Sequence, residues 1–190
     1  MFCYAENMEI VKKTLSQKLI KQTIYVLIGS LLLTISAKVK IPFYPVPMTM
    51  QTFVVLLLGI SLGPKVGTMS VILYLAEGIL GMPVFSNSPE KGSGIIYFTG
   101  PTMGYLIGFI FASFLAGKIN YKSNILIIFL KLILVVSVIY ILGMAWLGFL
   151  LGWDKPIFDI GAKPFLLAEV TKILLLTVIT KQLVKLRRTI

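Results

Sequence analysis

Residues 125–150 read ILIIFLKLILVVSVIYILGMAWLGFL and contain a single charged side chain, Lys131. A straight helix needs about 20 consecutive apolar residues to cross the hydrocarbon core of a bilayer. This run is longer than that, and a helix of such length fits the bilayer by tilting. The run therefore predicts a helix that crosses the membrane.

The composition of the whole chain points the same way. Of the 190 residues, 57% are hydrophobic and 13% are charged, whereas an ordinary soluble domain has roughly 45–50% apolar and about 25% charged residues. A net charge of +11 would suggest nucleic-acid binding in a soluble chain. Here the basic residues stand at the ends and between apolar runs, so they are interpreted as topology signals and no nucleic acid is expected as a partner.

Five further apolar runs accompany the first, at roughly 22–37, 48–62, 64–81, 100–117 and 164–184. Together the runs predict an all-α, polytopic membrane protein, a bundle of six transmembrane helices. The second and third runs meet at Gly63-Pro64, a tight turn in which the proline suits the first position of the next helix. If these two runs formed a re-entrant hairpin there would be four crossings, but the length of the third run favours six.

The distribution of lysine and arginine supports an even number of crossings. With both termini cytoplasmic, twelve basic residues lie inside: Lys12, Lys13, Lys18, Lys21, Lys65, Lys118, Lys122, Lys131, Lys181, Lys185, Arg187 and Arg188. Five lie outside: Lys38, Lys40, Lys91, Lys155 and Lys163. The chain is then one domain of the cell membrane, with a cytoplasmic segment 1–21, the bundle 22–184 and a basic cytoplasmic tail 185–190.

The sharpest chemical feature is the pair formed by Glu169 and Lys172 in the last run. Their i, i+3 spacing places both side chains on one helical face. A charge at mid-membrane costs about 2.5–3.5 kcal/mol on the insertion scale, and intramembrane charges most often mark functional sites. We therefore interpret the pair as the polar anchor of a buried ligand. The structural alternative is an ion pair that locks this helix to a neighbour. Glu77 could line the same cavity or lie near the outer interface.

The first outer loop supplies further candidates. Pro42, Pro45 and Pro47 stiffen it, which lowers the entropy lost when a loop closes over a ligand. Thr49 and Gln51 bring hydrogen-bonding groups to the mouth of the second helix. The prolines would equally suit a rigid connector between two helices.

The second outer loop runs from Phe85 to Thr99 and contains Asn87 and Tyr97. It is too long for a minimal turn, and loops of this length are more often functional or disordered than idle. The aromatic and polar residues of this loop are candidates for the wall of a ligand site.

Several classes of activity have no support in the sequence. Cys3 is the single cysteine and there is no histidine, so the usual acid–base catalyst and the commonest zinc ligand are missing. No catalytic residue, metal site or cofactor is expected. There is no GxxxxGK[ST] loop, so active transport would have to draw its energy from a partner.

Several motifs, taken in order along the chain, resemble those of the BioY family. They are PVPMTMQT at 45–52, LGP at 62–64, YLAEG at 74–78, GMPVF at 81–85, PEKG at 89–92 and GPTMGY at 100–105. BioY proteins are the biotin-specific substrate-binding components, called S components, of energy-coupling factor transporters. The resemblance extends from about Lys40 to Lys172, which is most of the chain.

The resemblance implies that biotin is enclosed near the outer surface, under the first loop of a six-helix bundle. It implies a transmembrane coupling subunit and two cytoplasmic ATPases as partners, besides membrane lipid. It also implies that an acid and a lysine of the last helix hold the ureido ring. Here the corresponding stretch is PFLLAEVTK at 164–172, in which Glu169 stands where the family has aspartate.

The chemistry agrees with this assignment. A carboxylate can accept hydrogen bonds from the two N–H groups of a cyclic urea, and an ammonium can donate to its carbonyl. Phe85, Tyr97 and Tyr105 would suit the thioether ring and the aliphatic tail. Three alternatives remain: an intramembrane enzyme that uses Glu169 and Lys172 as acid and base, a structural subunit, and a biotin transporter that works without an energising module.

Overall fold

The structure, a computed structural model, describes residues 2–41 and 46–187. The predictions that concern Pro42, Pro45 and Arg188 lie outside the described residues. Its helices are α1 (Phe2–Lys38), α2 (Gln51–Ile79), α3 (Gly94–Phe98), α4 (Met103–Lys118), α5 (Ile125–Leu151), α6 (Ile157–Gly161) and α7 (Leu166–Leu186). Two short strands, β1 (Lys40–Ile41) and β2 (Met48–Thr49), and a 3-10 turn (Lys163–Phe165) complete it. The predicted all-α membrane fold is confirmed.

Among the described residues, three helical stretches are apolar and long enough to span a membrane by length and composition, Ser16–Lys38, Gln51–Ile79 and Ile125–Leu151, and the second of them is interrupted at Gly63. Met103–Lys118 is a shorter apolar helix. The last helix, α7, carries Glu169 and Lys172 within its apolar sequence.

The helix α2 consists of two antiparallel arms. Gly63 interrupts it with φ 82° and ψ 176°, a backbone conformation that favours glycine. The amide of Gln51 donates to the hydroxyl of Tyr74 at 2.8 Å, which brings the far ends of the arms together. A Cβ on Gly67 would lie 2.7 Å from the carbonyl oxygen of Leu58, so the arms touch near the turn. The predicted second and third segments are therefore these arms, and the predicted turn at Gly63-Pro64 is confirmed.

The first helix extends beyond the predicted apolar segment. That segment starts near residue 22, and α1 is helical from Phe2. The reason is that apolar length measures the part of a helix suited to the membrane, whereas lysine and glutamate are good helix formers that extend the helix beyond it.

Glycines bring the helices close together. A Cβ on Gly104 would lie 2.3 Å from the carbonyl oxygen of Leu142, and one on Gly108 would lie 2.8 Å from Cα of Ile139. The GxxxG spacing in α4 therefore serves packing against α5 within this chain.

One end of the bundle carries the two loops that the sequence predicts to lie outside. The strands β1 and β2 pair antiparallel, with Lys40 opposite Thr49, and so tie the end of α1 to the start of α2. The short helix α3 lies within the second outer loop, and α6 lies in the connection from α5 to α7. These elements form the surroundings of the cavity described next.

Candidate functional site

A cavity lies at the end of the bundle that carries these two loops, between both arms of α2, α4, α5 and α7. Its empty volume is about 570 Å³, including space open to solvent. The hydrogen-bonding side chains on its wall are Thr49, Gln51, Thr52, Ser86, Thr102 and Glu169. The aromatic side chains are Tyr74, Phe85, Tyr97, Tyr105, Phe109, Tyr140 and Phe165. A mostly apolar wall with a few converging polar groups is the usual form of a small-molecule site.

Glu169 is the charged group on the cavity wall. Glu169 is 5% exposed and lies in the first turn of α7, where the helix dipole favours a carboxylate. Its Oε1 accepts hydrogen bonds from the hydroxyl of Thr52 and from Nζ of Lys172, both at 2.8 Å. Its Oε2 is buried and makes no hydrogen bond of normal geometry among the described residues, although the phenol of Tyr140 interacts with this carboxylate. A buried carboxylate oxygen without a donor is costly, so this atom can accept from a ligand.

Lys172 is 8% exposed, and its ammonium group donates to three acceptors. Its Nζ donates to the backbone carbonyl of Thr49 at 2.7 Å, to the hydroxyl of Thr52 at 3.0 Å and to Glu169 at 2.8 Å. Three acceptors match the three N–H groups of an ammonium. Its side chain borders a neighbouring groove beside Val39 and Leu175, and it is absent from the cavity wall. Lys172 thus fixes the carboxylate from behind.

A second polar group on the wall comes from the loops. The hydroxyls of Ser86 and Tyr97 lie 3.0 Å apart and share a hydrogen bond. The backbone N–H of Asn87 also donates to the Tyr97 hydroxyl, at 3.3 Å. Gln51 donates to Tyr74, whose hydroxyl in turn donates to the carbonyl of Val84 at 3.3 Å.

Two aromatic clusters form the apolar wall. In one, the ring of Phe85 stacks on Tyr97 with centroids 5.1 Å apart and meets Tyr74 edge-on at 5.5 Å. In the other, Tyr105 meets Tyr140 edge-on at 6.0 Å. The Tyr105 hydroxyl donates to the carbonyl of Gly161 at 2.7 Å, which fixes the orientation of its ring. Such anchored rings form rigid surfaces for an apolar ligand.

We expect Gly78→Ala to destabilise the protein through this wall. A Cβ at position 78 would lie 2.1 Å from the ring of Phe85, which is 1% exposed and held between other rings. Overpacking of this kind costs about 1–3 kcal/mol, so the thermal unfolding midpoint of the detergent-purified protein should fall. Phe85→Leu in the same chain should restore part of the loss. An unchanged midpoint for Gly78→Ala would show that the ring can move aside.

The predicted site residues divide into two sets. Six lie on the cavity wall: Thr49, Gln51, Phe85, Tyr97, Tyr105 and Glu169. The other two, Lys172 and Asn87, lie behind the wall, and the side chain of Asn87 accepts from Nζ of Lys40 at 2.9 Å. Glu77 does not lie on the wall either; it accepts a short hydrogen bond from Ser30 of α1. Of the two roles considered for Glu77, the structure favours the one outside the cavity.

Thr52, Tyr74, Ser86 and Tyr140 are among the wall residues that were not predicted from the sequence. Thr52 directly follows Gln51, so the polar residues at the start of α2 could have been predicted to include it. Tyr140 stands alone in an apolar run, where no periodic pattern distinguishes a wall residue from a packing residue. Among the described residues, no three His, Cys, Asp or Glu side chains lie together as a metal site would require.

Known proteins resemble this chain along most of its length. The model of the BioY family matches residues 8–189. A probable biotin transporter BioY of Pyrococcus horikoshii is 36% identical over 152 residues, which cover 80% of this chain and 89% of that protein. The biotin transporter BioY of Thermotoga maritima is 35% identical over 167 residues, which cover 87% and 97%.

A solved structure agrees with these relatives. It is the crystal structure of the S-component for biotin from an ECF-type ABC transporter, and it matches this fold with a TM-score of 0.74 at 28% identity. The match covers 89% of this chain and 93% of the other. The resemblance inferred from the motifs is confirmed, and this chain belongs to the BioY family.

Proposed function

We propose that this chain binds biotin and is the substrate-capture subunit of an energy-coupling factor transporter. The observation that carries the proposal is the buried carboxylate of Glu169, which has one oxygen engaged and the other without a donor at the wall of a cavity. The relatives are named biotin transporters, and the solved structure is described as an S-component for biotin. Both descriptions agree with the proposed function.

The polar end of the cavity suits a cyclic urea. The urea presents two N–H donors, and Glu169 accepts from them, with Oε2 as the free acceptor. Charge-assisted bonds of this kind are roughly twice as strong as neutral ones. Lys172 already donates to three acceptors, so a bond to the urea carbonyl would replace one of them. We therefore assign Lys172 the role of holding Glu169 and Thr52 in place.

The rest of the cavity suits the rest of biotin. Phe85, Tyr97 and Tyr105 line it with rings, which match a thioether ring and an aliphatic chain. Thr49 and Gln51 bring further hydrogen-bonding groups from the start of α2. Asn87 acts on this wall through the loop, because its backbone N–H donates to the Tyr97 hydroxyl.

We further propose that the chain is one domain of the plasma membrane with both termini in the cytoplasm. The distribution of basic residues supports this orientation. Membership of the BioY family implies a transmembrane coupling subunit and two cytoplasmic ATPases as partners, and the sequence itself contains no nucleotide-binding loop. The solved relative is itself a component of an ECF-type ABC transporter.

The same geometry argues against an intramembrane enzyme. A base must offer a free lone pair and an acid a transferable proton close to the substrate. The ammonium of Lys172 lies behind the wall with its N–H groups engaged. The neighbouring hydroxyl, Thr171, is exposed and donates to the carbonyl of Ala168 at 2.8 Å. Among the described residues of α7, no pair of reactive groups therefore faces the cavity.

Isothermal titration of the detergent-purified chain with biotin tests the proposal. We expect saturable binding at micromolar or lower biotin with one site per chain, and no heat from an unrelated vitamin such as thiamine. Absence of binding at micromolar biotin would overturn the proposed function. Uptake of labelled biotin by cells that express the chain with and without a coupling module then decides whether it transports alone.

A further inference from the structure

Two lysines, Lys38 at the end of α1 and Lys40 in β1, hold the second outer loop. Nζ of Lys38 donates to the backbone carbonyls of Phe85 at 2.8 Å and Ser88 at 2.7 Å. Nζ of Lys40 donates to the backbone carbonyl of Ser86 at 2.7 Å and to the side chain of Asn87 at 2.9 Å. Both ammonium groups thus bind the same four-residue segment, 85–88.

This segment forms part of the cavity wall. Phe85 and Ser86 line the cavity, whereas neither lysine does. The hydroxyl of Tyr97 shares a hydrogen bond with Ser86 and accepts the N–H of Asn87. A continuous set of contacts therefore leads from the two ammonium groups, through the backbone of 85–88, to two hydroxyls on the cavity wall.

The charge balance of this segment is positive. The carboxylate that faces the ammonium groups is that of Glu90, which lies 3.4 Å from Nζ of Lys40 and whose side chain is 74% exposed. An exposed carboxylate is well screened by solvent, so it offsets the two ammonium charges only in part. Ammonium groups that bind carbonyls also polarise the peptide units that follow, which strengthens the N–H groups of those units as donors.

The charged group on the cavity wall itself is an anion, Glu169. A ligand that carries a carboxylate is repelled at that end and attracted toward the wall formed by Phe85, Ser86 and Tyr97. The two ends of the cavity therefore differ in electrostatic potential, and this difference orients an asymmetric ligand.

We propose that the wall formed by Phe85, Ser86 and Tyr97 receives the anionic end of the ligand, and that Lys38 and Lys40 are positioning residues that act on it through segment 85–88. This inference rests on the proposed function, because it takes biotin as the ligand. It adds the position of the other end of the ligand: with the ureido ring at Glu169, the valerate carboxylate lies at the loop wall.

The test compares biotin with biotinamide, in which a neutral carboxamide replaces the carboxylate. The variant is Lys38→Gln with Lys40→Gln, because a glutamine side chain still donates to carbonyls but carries no charge. We expect the ratio of the affinity for biotin to the affinity for biotinamide to fall about tenfold in the variant, as loss of an attractive charge across a short, partly buried distance would produce. The affinity for biotinamide should change little.

The ratio of the two affinities also controls for misfolding, because damage to the loop would weaken the binding of biotin and of biotinamide alike. Lys163→Gln is the matched control variant: it removes a positive charge at the same end of the bundle, where Lys163 pairs with the exposed Asp159 at 2.7 Å. It should leave the ratio unchanged. An unchanged ratio in the Lys38→Gln, Lys40→Gln protein would overturn the inference while leaving the proposed function standing. If the unaltered chain bound neither ligand, the proposed function would itself fail.

Discussion

Glu169→Gln should lower the affinity for biotin about a thousandfold, which corresponds to about 4 kcal/mol. In the native protein Oε1 accepts from Thr52 and Lys172. These two donors will fix the amide oxygen of a glutamine in the same place, so the NH₂ group takes the position of Oε2. A donor then faces the N–H groups of the urea, and two acceptor bonds to a charged group are replaced by a donor–donor contact. Titration of the purified variant with biotin measures the loss.

Glu77→Gln is the matched control, since it neutralises another carboxylate in a membrane-embedded helix. Glu77 accepts from Ser30 and is absent from the cavity wall. The control should keep its affinity for biotin within about threefold, which corresponds to less than about 1 kcal/mol. An equal loss of affinity in the two variants would mean that removing any intramembrane carboxylate disturbs binding. That result would contradict the specific role assigned to Glu169.

The sequence predicted the helical segments well because their signals are local. Apolar length identifies the segments, and Gly63-Pro64 identifies the turn between the arms of α2, where the backbone is left-handed at Gly63. Apolar length does not predict how far a helix continues into a charged segment, and α1 is helical well before its apolar part begins.

The candidate site was predicted less completely, because a cavity is a property of several elements. The spacing of Glu169 and Lys172 correctly placed them on one face of a helix and close enough to pair at 2.8 Å. Spacing cannot tell which of two neighbours faces a cavity: Lys172 turns to the carbonyl of Thr49, from a segment 123 residues earlier in the chain. Such a contact depends on how α2 packs against α7, and no local pattern encodes it.

The same limit applies to Asn87 and Tyr140. Asn87 was predicted as a site residue because it lies in a long polar loop, but its side chain accepts a hydrogen bond from Lys40 behind the wall. Tyr140 was passed over because its neighbours in α5 are uniformly apolar, yet it reaches the cavity and interacts with Glu169. In both cases the decisive information is the direction of a side chain relative to other helices.

Lys172→Met should both destabilise the protein and abolish tight binding of biotin. Removing one partner of a buried ion pair costs about 3–5 kcal/mol, because the remaining charge is left without compensation. Here the remaining charge is Glu169, and Thr52 loses a donor at the same time. We expect the thermal midpoint to fall by about 10 °C, measured on the detergent-purified protein. Lys181→Met, which changes an exposed lysine of the same helix, should leave the midpoint and the affinity unchanged.

The double variant Lys172→Met with Glu169→Gln separates the two effects. If Lys172 acts by compensating and orienting the carboxylate, neutralising that carboxylate removes the uncompensated charge, and the midpoint should recover most of its loss. Binding should not recover, because the acceptor for the urea is gone. If instead Lys172 served only as a donor to the ligand, Lys172→Met alone would weaken binding without lowering the midpoint. That result would contradict the role assigned to its three hydrogen bonds, and the carboxylate would then have to be held by groups other than the lysine.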